Sequence, residues 1–99
     1  MEENVQEGIL SDGPVNLPIQ MMSLTDRDGR ITPQWFRLET EDHEIRMYQI
    51  IQVVSRAEKN YAGVREKQFI CKIQTGETSR TLEMRYSVMS QKWRIFQFL

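Results

Sequence analysis

The sequence predicts an all-β fold: a small antiparallel meander of five to six strands closing into a barrel-like or sandwich core. Three observations carry that reading. Turn-forming clusters recur at near-regular spacing, at Asp26-Arg27-Asp28-Gly29, Glu41-Asp42-His43-Glu44, Gly63 and Ser90-Gln91. The runs between them are rich in β-branched and aromatic residues. The last third alternates apolar and polar positions with the strand period of two.

Residues 1–16 read as a mobile acidic segment. They hold four acidic residues, two glycines and Pro14, with only Ile9-Leu10 as an adjacent apolar pair able to dock. Residues 17–99 then form a single β domain. The first strand is expected over 17–25 and ends at the turn closed by Gly29, which suits a positive φ. The second covers 30–40 and carries Trp35, Phe36 and Leu38. Pro33 cannot donate to a ladder, so an edge or bulge is expected there. The third covers 45–55, followed by a longer connection over 56–64. Met47, Ile50, Val54, Ala57 and Tyr61 also fit a helical stripe, so a short helix within 45–62 is the competing reading. The remaining strands are expected over 66–75, 80–89 and 92–99.

The last three strands predict a register. Pairing Thr75 with Arg80 sets Phe69 against Tyr86, Cys71 against Met84 and Ile73 against Leu82. A turn at Ser90-Gln91 sets Val88 against Trp93 and Tyr86 against Ile95. One apolar face results, and Ile70, Arg85, Phe96 and Phe98 fall on the other.

Length and composition set the bounds. The 99 residues allow one domain, able to bury roughly two-thirds of its unfolded surface without metals or disulfides. No run of about 18 apolar residues is present to span a membrane as a helix. The start, Met1-Glu2-Glu3-Asn4, lacks the apolar stretch of a secretory signal. Cys71 is the only cysteine, so no intrachain disulfide forms, and a cytoplasmic location is expected. Residues 1–44 carry ten acidic and three basic side chains; residues 45–99 carry four and ten. Opposite-signed halves of one small domain largely cancel when they lie together.

Catalytic and metal sites are not expected. His43, the only histidine, sits in a polar turn that supplies neither a positioned partner nor a tuned pKa. Cys71 alternates with Phe69 and Ile73 and reads as a buried thiol, whereas a reactive one needs an exposed, electropositive site. One histidine and one cysteine cannot make a usual zinc site. Asp26, Asp28 and Gly29 echo the opening of a calcium loop, but Arg37 stands where its terminal Glu is required. Phosphate-binding glycine motifs are absent, and no cofactor is expected. Six short strands should fill a barrel with side chains, so no small-molecule ligand is expected either. Met21, Met22, Met47, Met84 and Met89 read as fillers of core gaps.

The outward face of the C-terminal strands remains. In the register above, Lys72 lies beside Glu83 and then Phe98. Ile70 lies beside Arg85 and then Phe96, and Ser87 lies beside Arg94. Ile70, Lys72, Arg85, Arg94, Phe96 and Phe98 are therefore the candidate interaction surface. Three readings compete. The N-terminal strand pair could cover the apolar members as a second core. A protein partner, or a second copy in a homodimer, could cover them instead. Interleaved cations and rings would also suit a single-stranded nucleic acid.

Gly29-Arg30-Ile31-Thr32-Pro33-Gln34-Trp35-Phe36-Arg37-Leu38-Glu39 is a distinctive run. With Phe69-Ile70-Cys71, Leu82-Glu83-Met84-Arg85-Tyr86 and Lys92-Trp93-Arg94-Ile95-Phe96, it resembles a group of short, uncharacterised, β-rich bacterial proteins. The resemblance covers about residues 18–99 and is one of pattern. It implies a small all-β domain in a bacterial cytoplasm and carries over no functional residue. The expected function is a non-enzymatic binding module acting through protein contacts or self-association. The alternative is single-stranded nucleic-acid binding on the same face.

Overall fold

A computed structural model of the chain describes residues 13–99, and within this range every regular element is a strand. The strands are β1 (Gly13–Thr25), β2 (Ile31–Glu39), β3 (Ile45–Tyr61), β4 (Val64–Thr75), β5 (Thr78–Ser87) and β6 (Lys92–Phe98). Each pairs antiparallel with the next. β6 pairs back onto β1, which closes a six-stranded barrel. Closure gives every strand two neighbours, which limits open edges to the stretches where strands part.

Strand boundaries shift by one or two residues at several ends, β5 for instance covering Thr78–Ser87 rather than 80–89, and three differences are larger in consequence. Residues 13–16 belong to β1 rather than to a tail; the rest of the acidic segment, with Ile9-Leu10, lies outside the described residues. The competing helix within 45–62 does not form: β3 is strand throughout. The long connection expected over 56–64 shrinks to Ala62-Gly63. Both take positive φ, 51° and 85°, the backbone a two-residue hairpin loop needs to match strand twist.

The register of the C-terminal strands also differs, in an instructive way. Thr75 pairs with Thr78, across a two-residue loop that begins with Gly76 at φ 66°. Phe69 therefore faces Met84, Cys71 faces Leu82 and Ile73 faces Arg80. Likewise Tyr86 faces Trp93 and Met84 faces Ile95. Both ladders are slipped by two residues from the expected pairing. An even slip leaves every side chain on its original face, so the inward set survives.

An odd irregularity does not. In β6, Ile95 pairs with Met84 but Gln97 pairs with Glu83, so Phe96 is an extra residue. This bulge reverses the alternation beyond it. Phe98, expected on the outside, turns inward opposite Leu82 and is 4% exposed. The β1 ladder has its own irregularity across from this point, between Pro14 and Leu17, with Asn16 at φ 49°. The bulge expected near Pro33 is also present. Met22 pairs with Trp35 and Ser23 with Pro33, which leaves Gln34 as the extra residue.

The lumen is filled by side chains from five strands. Phe36 and Leu38 of β2, Tyr48 of β3, Phe69, Cys71 and Ile73 of β4, Leu82 and Met84 of β5, and Trp93, Ile95 and Phe98 of β6 form the core. Val15, Leu17, Ile19 and Met21 pack on it from β1. Trp93 sits between Phe69 and Tyr86, with ring centroids 5.2 and 5.0 Å away. Phe36 stacks on Tyr48 at 5.5 Å. The Tyr48 hydroxyl is buried with no protein partner among the described residues, which costs stability rather than adding to it.

Arg56 closes the lumen where β2 and β3 part. Their pairing ends at Trp35–Gln49. Arg56 projects inward opposite Phe69 and donates to the Ile31 carbonyl and, at 2.9 Å, to Thr32 Oγ1. Its guanidinium lies 5.4 Å from the Phe69 ring centre.

The reversal at Phe96 makes a measurable claim. Phe98→Ala should cost about 3–5 kcal/mol in denaturant unfolding, as for other buried aromatic truncations. A loss within about 0.5 kcal/mol, typical of a surface position, would contradict the inward placement.

Candidate functional site

Two walls of the barrel exterior matter, and they differ in kind. The first is the C-terminal wall, where the sequence placed the candidate surface. Arg85 of β5 and Arg94 of β6 lie directly opposite each other on it. Two like charges at that spacing repel unless carboxylates intervene. Two do. Arg94 donates to Glu66 of β4 at 2.6 and 3.3 Å, and its Nε donates to Asn16 Oδ1 of β1 at 3.0 Å. Arg85 donates to Glu83 at 2.7 Å and reaches Glu66 at 3.5 Å. Gln97 donates to the other Glu83 oxygen at 2.9 Å.

The network is tight. Glu83 is 3% exposed and Glu66 is 8% exposed, although both stand on the outside of the sheet. The Arg94 hydrogen bond holds the Glu66 carboxyl below its ordinary value, against the opposing effect of burial. Burial alone would raise Glu83. Hydrogen bonds from Arg85, Gln97 and Gln68 outweigh it, and the carboxyl is lowered. Phe96 completes the arrangement: the Arg85 guanidinium covers its ring at 3.7 Å, and that of Arg94 stands 5.8 Å away.

The structure therefore brings together Arg85, Arg94 and Phe96, and separates the rest of the predicted set. Ile70 is half-buried opposite Glu83 rather than beside Arg85. Lys72 is exposed opposite Thr81. Phe98 is in the core. The basic and aromatic interleaving exists, but its two arginines are neutralised by Glu66 and Glu83, and one face of its ring is occupied.

The second wall is made by β1, β2 and β3. Phe36 and Leu38 point inward, so Trp35, Arg37 and Glu39 point outward. The pairing then lays out rows across three strands: Met22, Trp35 and Gln49 in one, and Gln20, Arg37 and Met47 in the next. Glu39 and Ile45 follow. Met22 is 51% exposed, and Met47 and Ile45 are each 63% exposed. Bulges in β3 make Ile51 and Val54 extra residues, and both are also exposed. Leu24 extends the set on β1. Met22, Met47 and Met89 are thus surface residues rather than core fillers; Met84 is buried and Met21 packs on the core.

At the margin of this wall, toward β6, lies a groove of about 460 Å³ between Pro18, Gln20 and Met22 of β1, Trp35 and Arg37 of β2, Gln91, and Lys92 of β6. A second hollow of about 270 Å³ lies beside it, against Gln20, Arg37, Glu39 and Ile45. The signal in the sequence was parity: two inward residues on β2 and one on β3 assign all the outward ones.

The remaining sequence candidates are structural. His43 is an exposed turn residue at φ 63°, with Nδ1 2.8 Å from Glu39 Oε2. The Asp26 side chain accepts from the backbone N–H groups of Asp28 and Arg30, which closes the β1–β2 hairpin. Among the described residues no three His, Cys, Asp or Glu side chains gather as a metal site. Burial pushes the Cys71 thiol up to about 12.

The fold and this exterior define a small closed antiparallel barrel with one sealed and one apolar wall. No family model, curated protein or solved structure matches the chain.

Two outcomes test this description. A lowered carboxyl stabilises the fold above its ordinary pKa of about 4.5, and that contribution disappears as pH falls through the lowered value. Unfolding free energy should therefore drop on acidification through that range, and Glu66→Gln should flatten the drop; an unchanged slope would contradict the network. Cys71 should resist a thiol-reactive disulfide reagent in the native protein and react fully in guanidinium, whereas prompt native reaction would contradict its burial.

Proposed function

We propose that the chain is a non-enzymatic protein-interaction module that docks a partner on the outward wall of β1, β2 and β3. The observation that carries this reading is the group of exposed apolar side chains on the three strands: Met22 beside Trp35, and Met47 and Ile45 opposite Arg37 and Glu39. Isolated apolar residues on a surface need no explanation; a contiguous group does. Methionine suits such a role because its flexible, polarizable side chain adapts to its partner. The pairing of neighbouring strands holds the wall rigid, so little order is lost on binding.

The reading retains the module expected from the sequence and moves its surface. Ile70, Phe96 and Phe98 no longer motivate it, because Phe98 is core and Phe96 lies under Arg85. Nucleic-acid binding through Arg85 and Arg94 is less well supported, since both guanidiniums are engaged with carboxylates. A bacterial, cytoplasmic setting is part of the proposal. It accords with there being no helix among the described residues long and apolar enough to cross a membrane.

A peptide-display selection against the immobilised protein tests the proposal. The wild type should enrich a recurring peptide motif. The Ile45→Lys/Met47→Glu variant should lose that enrichment while its unfolding free energy stays within about 0.5 kcal/mol per site, because both positions are exposed. No enrichment by the wild type, or equal enrichment by the variant, would overturn the reading. So would tight, salt-sensitive oligonucleotide binding that the variant leaves intact.

A further inference from the structure

We infer that the groove beside Trp35 takes an acidic peptide segment of the partner protein, gripping an apolar side chain between Met22 and Trp35 and carboxylates at Arg37 and Lys92. The inference rests on the docking wall proposed above and assigns it a ligand chemistry.

The charge around the groove is one-sided. Its lining contains Arg37 and Lys92 and no carboxylate. Neither cation has a hydrogen-bond or ion-pair partner among the described residues. Other arginines on the barrel are held: Arg46 by Glu44, Arg65 by Glu58, Arg85 by Glu83 and Arg94 by Glu66. Glu39, the next outward residue on β2, lies against His43 at 2.8 Å. Arg37 is placed by register between the uncharged side chains of Gln20 and Met47 on the neighbouring strands. A guanidinium in that setting is a carboxylate receptor, since its planar fork matches two oxygens.

The rest of the lining is apolar or amide: Pro18, Ile19, Met21, Met22, Trp35 and Trp93, with Gln20 and Gln91 as hydrogen-bonding groups. A groove of about 460 Å³ accepts a side chain and its flanking backbone. The groove lies where β1 changes partners, from β6 up to Ile19 to β2 from Gln20, so side chains of all three strands reach it. A nucleic-acid strand fits less well. Its phosphates need cations at every step along the track, yet the wall continues through Met47, Ile45 and Glu39.

Fluorescence anisotropy with the full chain tests this. The probes are a short peptide with a Leu-Phe pair flanked by glutamates, the same peptide flanked by glutamines, the same flanked by lysines, and an oligothymidine. The glutamate peptide should bind at least about tenfold more tightly than the glutamine peptide at low salt, with the advantage shrinking as salt rises. The Arg37→Glu/Lys92→Glu variant should reverse the order and prefer the lysine peptide, an outcome that a misfolded protein cannot give. Equal binding of the glutamate and glutamine peptides, failure of the glutamate peptide to bind, or tighter binding of the oligothymidine would overturn the inference. Display selection of neutral peptides that Ile45→Lys/Met47→Glu abolishes would leave the docking wall standing and remove only its acidic preference.

Discussion

Two carboxylates buried on the outside of the barrel, Glu66 and Glu83, hold the arrangement on which the rest depends. Taking a charge out of water costs several kcal/mol unless it is paired and hydrogen-bonded. Here Glu66 meets that condition through Arg94 and Arg85 of other strands, and Glu83 through Arg85 of its own strand and Gln97 of β6. Glu66 on β4 takes Arg94 from β6, and Arg94 also takes Asn16 from β1, so one chain of hydrogen bonds spans the β1–β6 seam. Glu83 and Arg85 fill the space between. The pairs contribute geometry more than net stability, since a buried ion pair gains little over apolar packing of the same shape. What they supply is a fixed alignment of four strands where the barrel closes.

That alignment divides the surface. On the C-terminal wall the arginines are spent internally, and Phe96 is covered. On the opposite wall nothing equivalent occurs. Arg37 stands without a carboxylate partner among the described residues, and Met22, Ile45 and Met47 remain in water. A barrel has only two faces, and the lumen is filled. The proposed binding role is assigned to a part of the exterior that keeps apolar and charged groups free, as the β1–β3 wall does.

The fold was legible because strand parity is robust. A register slipped by two residues still delivered Phe69, Cys71, Ile73, Leu82 and Met84 to the core, and the buried thiol followed from that alone. Parity also shows what was not legible. The bulge at Phe96 adds one residue, and no local residue type announces it, yet it moves Phe98 from the surface to the core. The candidate surface lost Phe98 through that single residue. Charge pairing was hidden for a related reason: Glu66 meets Arg94 only because non-neighbouring β4 and β6 flank β5. The β1–β3 wall was readable in principle, from Trp35, Arg37 and Glu39 alternating with Phe36 and Leu38. Methionine's usual place in cores masked Met22 and Met47.

The most direct measurement is a methionine-methyl NMR spectrum recorded during titration with a bound peptide. Met22 and Met47 mark the open wall, Met84 marks the lumen and Met89 marks the loop between β5 and β6. The account predicts that the methyls of Met22 and Met47 shift progressively while those of Met84 and Met89 stay in place. Binding that leaves Met22 and Met47 unmoved, while backbone signals at Arg85, Arg94 and Phe96 shift, would return the function to the C-terminal wall and contradict the account.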